Sequence, residues 1–539
     1  MDHPWRDDDF CPSSACEVAQ YEILDPERLA AESSDLQTFT KSIAEQPYDP
    51  ESWLLRSRCL RLLGFPELAL GDAYKARLLV EASQERSTSL GKKAFLGLCD
   101  KTRLQHETDP RLAAWKHLVS TTALLEKRVV AELQELELQA WSELMEGLMA
   151  SNACSDYLAL SKEAVLRFPQ DAVFPSELLN AKSWFKQRDD ILRKQVDAGE
   201  MSEEKMQATL HNGGVYPVAY PWMQEDFVSR EESFLDGCKE EFSARSTNST
   251  VSRSAIRDIG AEDDSPSSGD VLGAFATKSI SAADTVLVDS TVAGVTSSAE
   301  RCPTCCGRIT EEILNDCCSV PYCSQSCSKT ALDTFHASVC GKDFGFLTSA
   351  AESAELTTDL SLDSVLLLRV LALSMQEPTL HPLKTSLLNR LTPTYKNDEL
   401  IIFNFPDHIV TPIRVLGELD IDVFANASYD TWVLHTIRCR LQNNKHGQTL
   451  DGFPGTAVNP LYSMFNHSCA PNVDWEHGDS NSTLRMFALR DVDEGEELFI
   501  SYIRPLTMEY AERQESLLPW LGMECECERC KTERPPSEA

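Results

Sequence analysis

The apolar positions of this chain change their spacing several times along its length. From Asp35 to Ala82 ("DLQTFTKSIAEQPYDPESWLLRSRCLRLLGFPELALGDAYKARLLVEA") they recur three and four residues apart, which predicts amphipathic helices. Pro50 and Pro66 fall at predicted first helical turns, and Gly64 at the break between two helices. Leucines at helical spacing in "LLEKRVVAELQELELQAWSELMEGLM" extend the pattern, with further helix predicted over 155–167 and 174–198. After "GGVYPVAYPWM" the composition shifts. Residues 243–270 are Ser-rich and read as a loop or insertion, with "TVSRSAI" alternating as a short strand inside them. "VLGAFATKSISAADTVLVDSTV" predicts two strands around a Ser-Ala-Ala-Asp turn. Residues 360–445 return to helix. "TLRMFALRDVDEGEELFISYI" predicts two more strands joined by Asp-Glu-Gly turns. Helix first and a strand-rich part later make the fold class α+β, and 539 residues exceed one compact core.

Composition narrows the functional classes. A formal charge of −35 argues against broad phosphate-backbone binding, so no direct nucleic-acid partner is expected; a basic protein partner suits it, as does a plain solvated acidic surface. No apolar run reaches spanning length and no leader pattern is present, so neither a membrane anchor nor a signal peptide is predicted. Of the 19 cysteines, eight lie between Cys302 and Cys340 and four more are Cys469, Cys525, Cys527 and Cys530. Clusters at such spacing in a leaderless chain predict metal in a reducing compartment, cytoplasm or nucleus, rather than disulfides. The remaining cysteines, such as Cys59, Cys99 and Cys439, read as buried thiols.

The first cluster, "CPTCCGRITEEILNDCCSVPYCSQSCSKTALDTFHASVC", supplies the pairs Cys302-x2-Cys305, Cys323-x3-Cys327 and His336-x3-Cys340, with Cys317-Cys318 between the first two. Thiolate and imidazole pairs a few residues apart are what tetrahedral zinc requires, and a finger of this size draws its folding energy from the metal. The second cluster, "CECERC", offers three thiolates where tetrahedral zinc takes four. Cys469, in "YSMFNHSCAPN", is the candidate fourth. Taken alone, "YSMFNHSCAPN" reads as a turn after a strand.

The finger resembles the MYND module, a protein-interaction finger with two interleaved zinc ions. By that resemblance Cys302, Cys305, Cys323 and Cys327 hold one ion. Cys317, His336 and Cys340 serve the other, with Cys318 or Cys306 replacing a missing ligand. "NHSC", then "EGEELFISYI", then CxCxxC resembles the ordered signature of SET-domain protein methyltransferases. Together with the finger, the chain resembles the SET-and-MYND lysine methyltransferases. Trp53, Leu60, Gly64, Ala69, Ala73 and Ala76 match the large and small packing positions of a tetratricopeptide hairpin. The helical N-terminus is thus similar to that of tetratricopeptide-bearing SET proteins common in fungi.

The resemblance implies a SET β-clip fold over 240–503, split by the finger at 302–340 and a helical insert at 345–445. A zinc-binding post-SET segment follows at 504–532, after a poorly ordered 1–30 and a tetratricopeptide-like domain at 31–200. It implies S-adenosylmethionine and zinc as cofactors, and a lysine-bearing protein as substrate. Asn466 and His467 would hold the adenosine part, and the Gly273-Ala274 backbone the methionine part. Tyr502 would stand at the methyl-transfer channel, touching cofactor and amine, with Glu497 supporting the loop. Zinc on Cys469, Cys525, Cys527 and Cys530 would close that channel. Two departures stand out. Val271-Leu272-Gly273 lacks the family's basic residue, and Leu521 with Trp520 stands where an aromatic is usual. The finger and helical layer would bind protein partners. A non-catalytic adaptor is the competing reading, and a small-molecule methyltransferase the third.

Overall fold

The computed structural model describes residues 25–108, 122–216, 219–223, 227, 232–256, 271–298, 300–347, 358–379, 381–391, 400–450, 453–477, 482–521 and 523–535. The chain divides into two compact units. One gathers the helical part up to Tyr216 with Leu400–Trp432, the other Pro217–Glu399 with Val433–Ala539.

The helical unit carries α1 (Pro26–Glu45), α2 (Pro50–Leu62), α3 (Pro66–Gln84), α4 (Ser89–Thr108), α5 (Thr122–Ala150), α6 (Cys154–Arg167), α7 (Val173–Asp197) and α8 (Glu203–His211). Helix begins earlier than the expected order at residue 31, because Asp25 caps it: its carboxylate accepts the Arg28 N–H at 2.8 Å, with Pro26 in the first turn. The rest of the stretch expected to be poorly ordered, residues 1–24, lies outside the described residues, as do 109–121 and the Ser-rich 257–270. Between α2 and α3, Gly64 turns the chain at φ 89°, where a side chain would be strained. Trp53, Leu60, Ala69, Ala73 and Ala76 are all buried in this hairpin.

Leu400–Trp432 falls within the stretch expected as a helical insert, yet it packs into this unit. Strand β1 (Gly213–Val215) pairs antiparallel with β8 (Ile401–Phe403). Asp430 accepts ion pairs from Arg56 at 2.9 Å and Lys75 at 2.7 Å, and Arg56 also grips Asp72 at 2.6 Å.

The second unit is built on short sheets whose pairs are antiparallel except for β11 (Asn466–His467) with β14 (Glu497–Ile500). Strands β2 (Ser249–Arg253), β3 (Leu272–Ala276), β14 (Glu497–Ile500) and β11 (Asn466–His467) form one sheet in the order β11-β14-β3-β2. Strands β4 (Thr285–Ser290), β13 (Thr483–Ala488) and β12 (Val473–His477) form a second. Strands β5 (Ala293–Thr296), β10 (Phe453–Val458) and β9 (Lys445–Leu450) form a third. Alternation explains them: Leu484, Met486 and Ala488 on β13 point into a core with Val286, Leu287, Phe465 and Leu498. α9 (Glu232–Arg245) closes that core with Leu235, Cys238 and Phe242. The finger is a hairpin of β6 (Ile313–Asn315) and β7 (Cys318–Tyr322) followed by α10 (Gln325–Thr334). It packs against α11 (Thr358–Ser374) through Ala372. The architecture is the expected α+β one.

Candidate active site and metal centres

The stretch "YSMFNHSCAPN" is strand and anchor, not a simple turn. Asn466 and His467 pair in parallel with Phe499 and Ile500, and the Ser468 N–H continues the ladder to the Ile500 carbonyl at 2.9 Å. Two residues escaped the sequence reading here. Asp289, 2% exposed, accepts the N–H groups of Leu461 and Tyr462, each at 2.9 Å, and so fixes the chain just before the motif. Burial lifts its pKa to about 6. Asn472, at the far end, donates to the Glu497 carbonyl at 2.8 Å and accepts the Phe499 N–H at 2.7 Å. The only sequence signal for Asp289 was an acid inside the apolar strand "TVLVDS".

Side chains then converge. Asn466 Nδ2 donates to the Leu272 carbonyl at 3.0 Å and to Glu497 Oε1 at 2.8 Å. Ser254 Oγ donates to the same carboxylate at 2.9 Å. A Cβ on Gly273 would meet Glu497 Oε1 at 2.3 Å, so only glycine leaves room for this network. Ala274 is fully buried and offers only its backbone. No basic residue stands at 271–273, while the strand register sets Arg253 opposite Leu272. His467 Nδ1 accepts the Tyr502 N–H at 3.0 Å, and burial holds its pKa down at about 4, so the ring is neutral. Tyr502 donates its hydroxyl to the Phe465 carbonyl at 2.9 Å. Burial of that hydroxyl, then the nearby Glu497 carboxylate, raises its pKa, while the residue as a whole remains about one third exposed.

Tyr502 borders a cleft of about 260 Å³, lined also by Phe465, Tyr462, His446, Trp475 and Trp520. The sequence reading put Leu521 at the aromatic position. In the structure α12 (Tyr510–Leu521) turns Trp520 to the cleft and packs Leu521 against the C-terminal cysteines. Asn466, His467, Gly273 and Ala274 do not line this cleft; they lie along the β11-β14-β3 strands.

All three expected cysteine groups assemble. Cys302, Cys305, Cys323 and Cys327 form one, Cys317, Cys318, His336 and Cys340 the second, and Cys469, Cys525, Cys527 and Cys530 the third, each with ligand atoms within 4.8 Å of one another. The sulfur separations fit tetrahedral zinc, for which Zn–S bonds of about 2.3 Å imply roughly 3.8 Å between sulfurs. Cys305 to Cys323 is 3.5 Å, Cys323 to Cys327 3.6 Å, Cys469 to Cys530 3.5 Å and Cys469 to Cys525 4.0 Å. In the second group Cys318 takes the fourth place and Cys306 stays outside. The Tyr322 hydroxyl, another residue not foreseen, meets His336 Nδ1 at 2.9 Å, which orients Nε2 toward Cys317 at 3.2 Å. Each four-cysteine group also has an arginine beside it. Arg513, with a fully buried side chain, lies 3.7 Å from Cys530 Sγ. Arg369 stacks 3.6 Å from the Phe335 ring centroid, and burial lowers its pKa to about 10, opposed by the charges of Cys306, Tyr322 and Cys302.

Comparison with known proteins agrees with this geometry: residues 271–503 match the SET domain family. These residues form a SET domain. The chain is 37% identical over 106 residues to the histone-lysine N-methyltransferase ASHR2 of Arabidopsis thaliana, covering 19% of this chain and 25% of that protein. It is 44% identical over 84 residues to the histone-lysine N-methyltransferase ATXR4 of the same plant, covering 15% and 25%. It is 39% identical over 79 residues to the human histone-lysine N-methyltransferase SMYD3, covering 15% and 18%. The matches therefore span a quarter or less of these relatives' lengths. The SET domain is interrupted by the cysteine-rich finger and followed by the third cysteine group, the layout expected of a SET-and-MYND protein. No helix among the described residues is long and apolar enough to cross a membrane.

Proposed function

We propose that this protein is a methyltransferase that uses S-adenosylmethionine to methylate lysine side chains of other proteins, histones being the first candidates. The observation that carries this reading is the clamp on Tyr502: its N–H on His467 and its O–H on the Phe465 carbonyl, at the edge of the ring-lined cleft. The similarity to proteins named as histone-lysine methyltransferases supports the same class.

Asn466, His467 and the Gly273-Ala274 backbone are the residues we assign to the cofactor. They offer an amide, a neutral imidazole and strand backbone, with the Glu497 carboxylate alongside, a donor set that suits a zwitterionic nucleoside with a cationic centre. When bound, the cofactor would supply a sulfonium methyl group to an amine lone pair, the S–C electron pair staying on sulfur. The chain's own part is to present a neutral amine in line and away from water. A cleft of 260 Å³ suits one side chain, being smaller than the roughly 300–1,000 Å³ usual for cofactor sites. Its aromatic walls disfavour the solvated ammonium and so favour the amine. The Tyr502 hydroxyl orients that amine. Zinc in the three cysteine groups is structural in this reading. The finger (302–340) and the tetratricopeptide-like helical domain (31–200) recruit protein partners in cytoplasm or nucleus. The SET region is assigned to 240–503 and the post-SET segment to 504–532.

The test is transfer of label from S-adenosylmethionine to purified core histones and to a cell lysate. Tyr502→Phe should bind cofactor normally and lose about 10²–10³ in rate, the usual cost of removing an aimed polar group. Cofactor binding without any labelled protein would favour a non-catalytic adaptor instead. A fully active Tyr502→Phe would remove Tyr502 from the chemistry.

A further inference from the structure

The three cysteine groups offer similar ligands, yet solvent reaches them unequally. Cys302, Cys305, Cys469, Cys525 and Cys530 are at most 5% exposed. Cys323 and Cys327 pack against the finger's apolar core, and Cys527 against the C-terminal one. The second group differs. Its His336 is buried, but Cys318 and Cys340 are half-buried, and Cys317 is the one exposed cysteine among the described residues. The local fold explains this. Cys317 sits with Asp316 in the turn between β6 and β7, where Asn315 faces Cys318 across the hairpin. Cys340 ends the short helical turn His336–Val339.

Exposure matters because a thiolate, and not a thiol, attacks an oxidant. Zinc holds its cysteines deprotonated. The buried cysteines outside the groups are the opposite case: burial raises the pKa of Cys59 and of Cys154, which keeps both protonated. The chain's most accessible thiolate is therefore Cys317. Geometry then selects its partner. The four ligand atoms of the group lie within 4.8 Å of one another. Cys318 is too near in sequence: adjacent Cα atoms stand about 3.8 Å apart, below the roughly 4.4–6.8 Å that an ordinary disulfide spans. An imidazole cannot form the cross-link. Cys340 remains, presented from a separate segment.

We propose that the second cysteine group is an oxidation site for hydrogen peroxide, at which Cys317 and Cys340 close a disulfide and zinc is released, while the two four-cysteine groups keep theirs. This rests on the reading of zinc in all three groups and does not depend on methyl transfer. The step balances. The Cys317 thiolate attacks one peroxide oxygen, which gives a sulfenic acid and a hydroxide. The Cys340 thiolate then attacks that sulfur, displaces a second hydroxide and forms the S–S bond. Two thiolates supply the two electrons, and both hydroxides take up protons as water. Cys318 and His336 are left as two ligands where tetrahedral zinc takes four, so the ion departs. The change reaches the finger's core through His336, whose Nδ1 meets the hydroxyl of the buried Tyr322 at 2.9 Å.

The experiment treats the zinc-loaded full chain with hydrogen peroxide. Released zinc is followed with a chelating dye, and the cysteines are trapped and mapped by mass spectrometry. About one zinc ion per chain should leave in a first phase, roughly tenfold faster than the remainder, because only the second group exposes a thiolate. The disulfide found in that phase should join Cys317 to Cys340, and a reducing agent with added zinc should restore the ion. Cys340→Ser should hold about two zinc ions and lack the fast phase, since its second group is one thiolate short. Should that variant fail to fold, the map of the wild type still decides. Release of all zinc at one rate, first oxidation in either four-cysteine group, a Cys317–Cys318 disulfide, or a fast phase in Cys340→Ser would each overturn the inference. So would a native protein that carries zinc only in the two four-cysteine groups. Methyl transfer enters none of these readouts, so a failure of the enzymatic reading leaves them unchanged.

Discussion

Gly273→Ala is the sharpest probe of how the SET core is assembled. An alanine Cβ would stand 2.3 Å from Glu497 Oε1, 3.0 Å from its Cδ and 3.1 Å from Asn466 Nδ2, where ordinary contact begins at 3.4 Å. The carboxylate must therefore retreat by about 1 Å, since the neighbouring backbone is paired strand. That retreat breaks the 2.8 Å bond from Asn466 and strains the 2.9 Å bond from Ser254. Losing a hydrogen bond to a charged group costs about 1.5–3 kcal/mol, and overpacking a strand costs about 1–3 kcal/mol. These overlap, because moving the carboxylate relieves the clash, so we expect about 2–4 kcal/mol in local stability. Amide exchange over residues 466–502 would read it. Glu497→Ala empties the space, so the double variant Gly273→Ala/Glu497→Ala should cost at least about 1 kcal/mol less than the two single costs added. Strict additivity within about 0.5 kcal/mol would show instead that Glu497 is not what Gly273 makes room for.

Asp289 should make the SET core sensitive to pH. Its folded pKa of about 6 exceeds the ordinary 3.8, so the folded state binds the proton more tightly; this favours folding below pH 4 and is lost as pH rises through 6. Between pH 5.5 and pH 8 the wild type should lose about 0.8 kcal/mol that Asp289→Asn does not lose, checked by exchange at residues 461–467; parallel profiles would exclude it. Metal analysis of the native protein should find close to three zinc ions per chain, and a value near one would contradict the finger assignment. In the helical unit, Asp430→Ala strips Arg56 and Lys75 of a shared carboxylate and should cost about 3–5 kcal/mol, seen as a lowered melting transition. A change under about 1 kcal/mol would show that Asp72 alone satisfies Arg56.

What could be read from the chain alone was the chemistry that depends on neighbours in sequence. Zinc ligands come in close pairs because each pair shares a turn, so the cysteine groups are legible in "CPTC" and "CECERC". Strand alternation behaves likewise: β3, β4, β13 and β14 fall inside the stretches that the pattern predicted. Spacing failed where one residue mattered. Consecutive positions on a helix point about 100° apart, so Trp520 and Leu521 exchange cleft and core although a count back from Cys525 selects Leu521. Helical periodicity also says nothing about which body a helix joins. Leu400–Trp432 is tied to the N-terminal helices by β1–β8 pairing and by Asp430, 355 residues from Lys75.

The carboxylates make the division physical. Glu497 lies in a recognisable motif and Asp289 does not, yet both accept hydrogen bonds from the segment that ends in Asn466 and His467. Asp289 acts from 172 residues away in sequence, through backbone N–H groups that any residue but proline provides. A partner reached through backbone leaves no imprint on the residue types it holds, so no spacing rule can mark it. The motif residues carry the chemistry, because only particular side chains perform it. Their placement depends on buried acids such as Asp289, whose only mark in the sequence is a charge on an otherwise apolar strand.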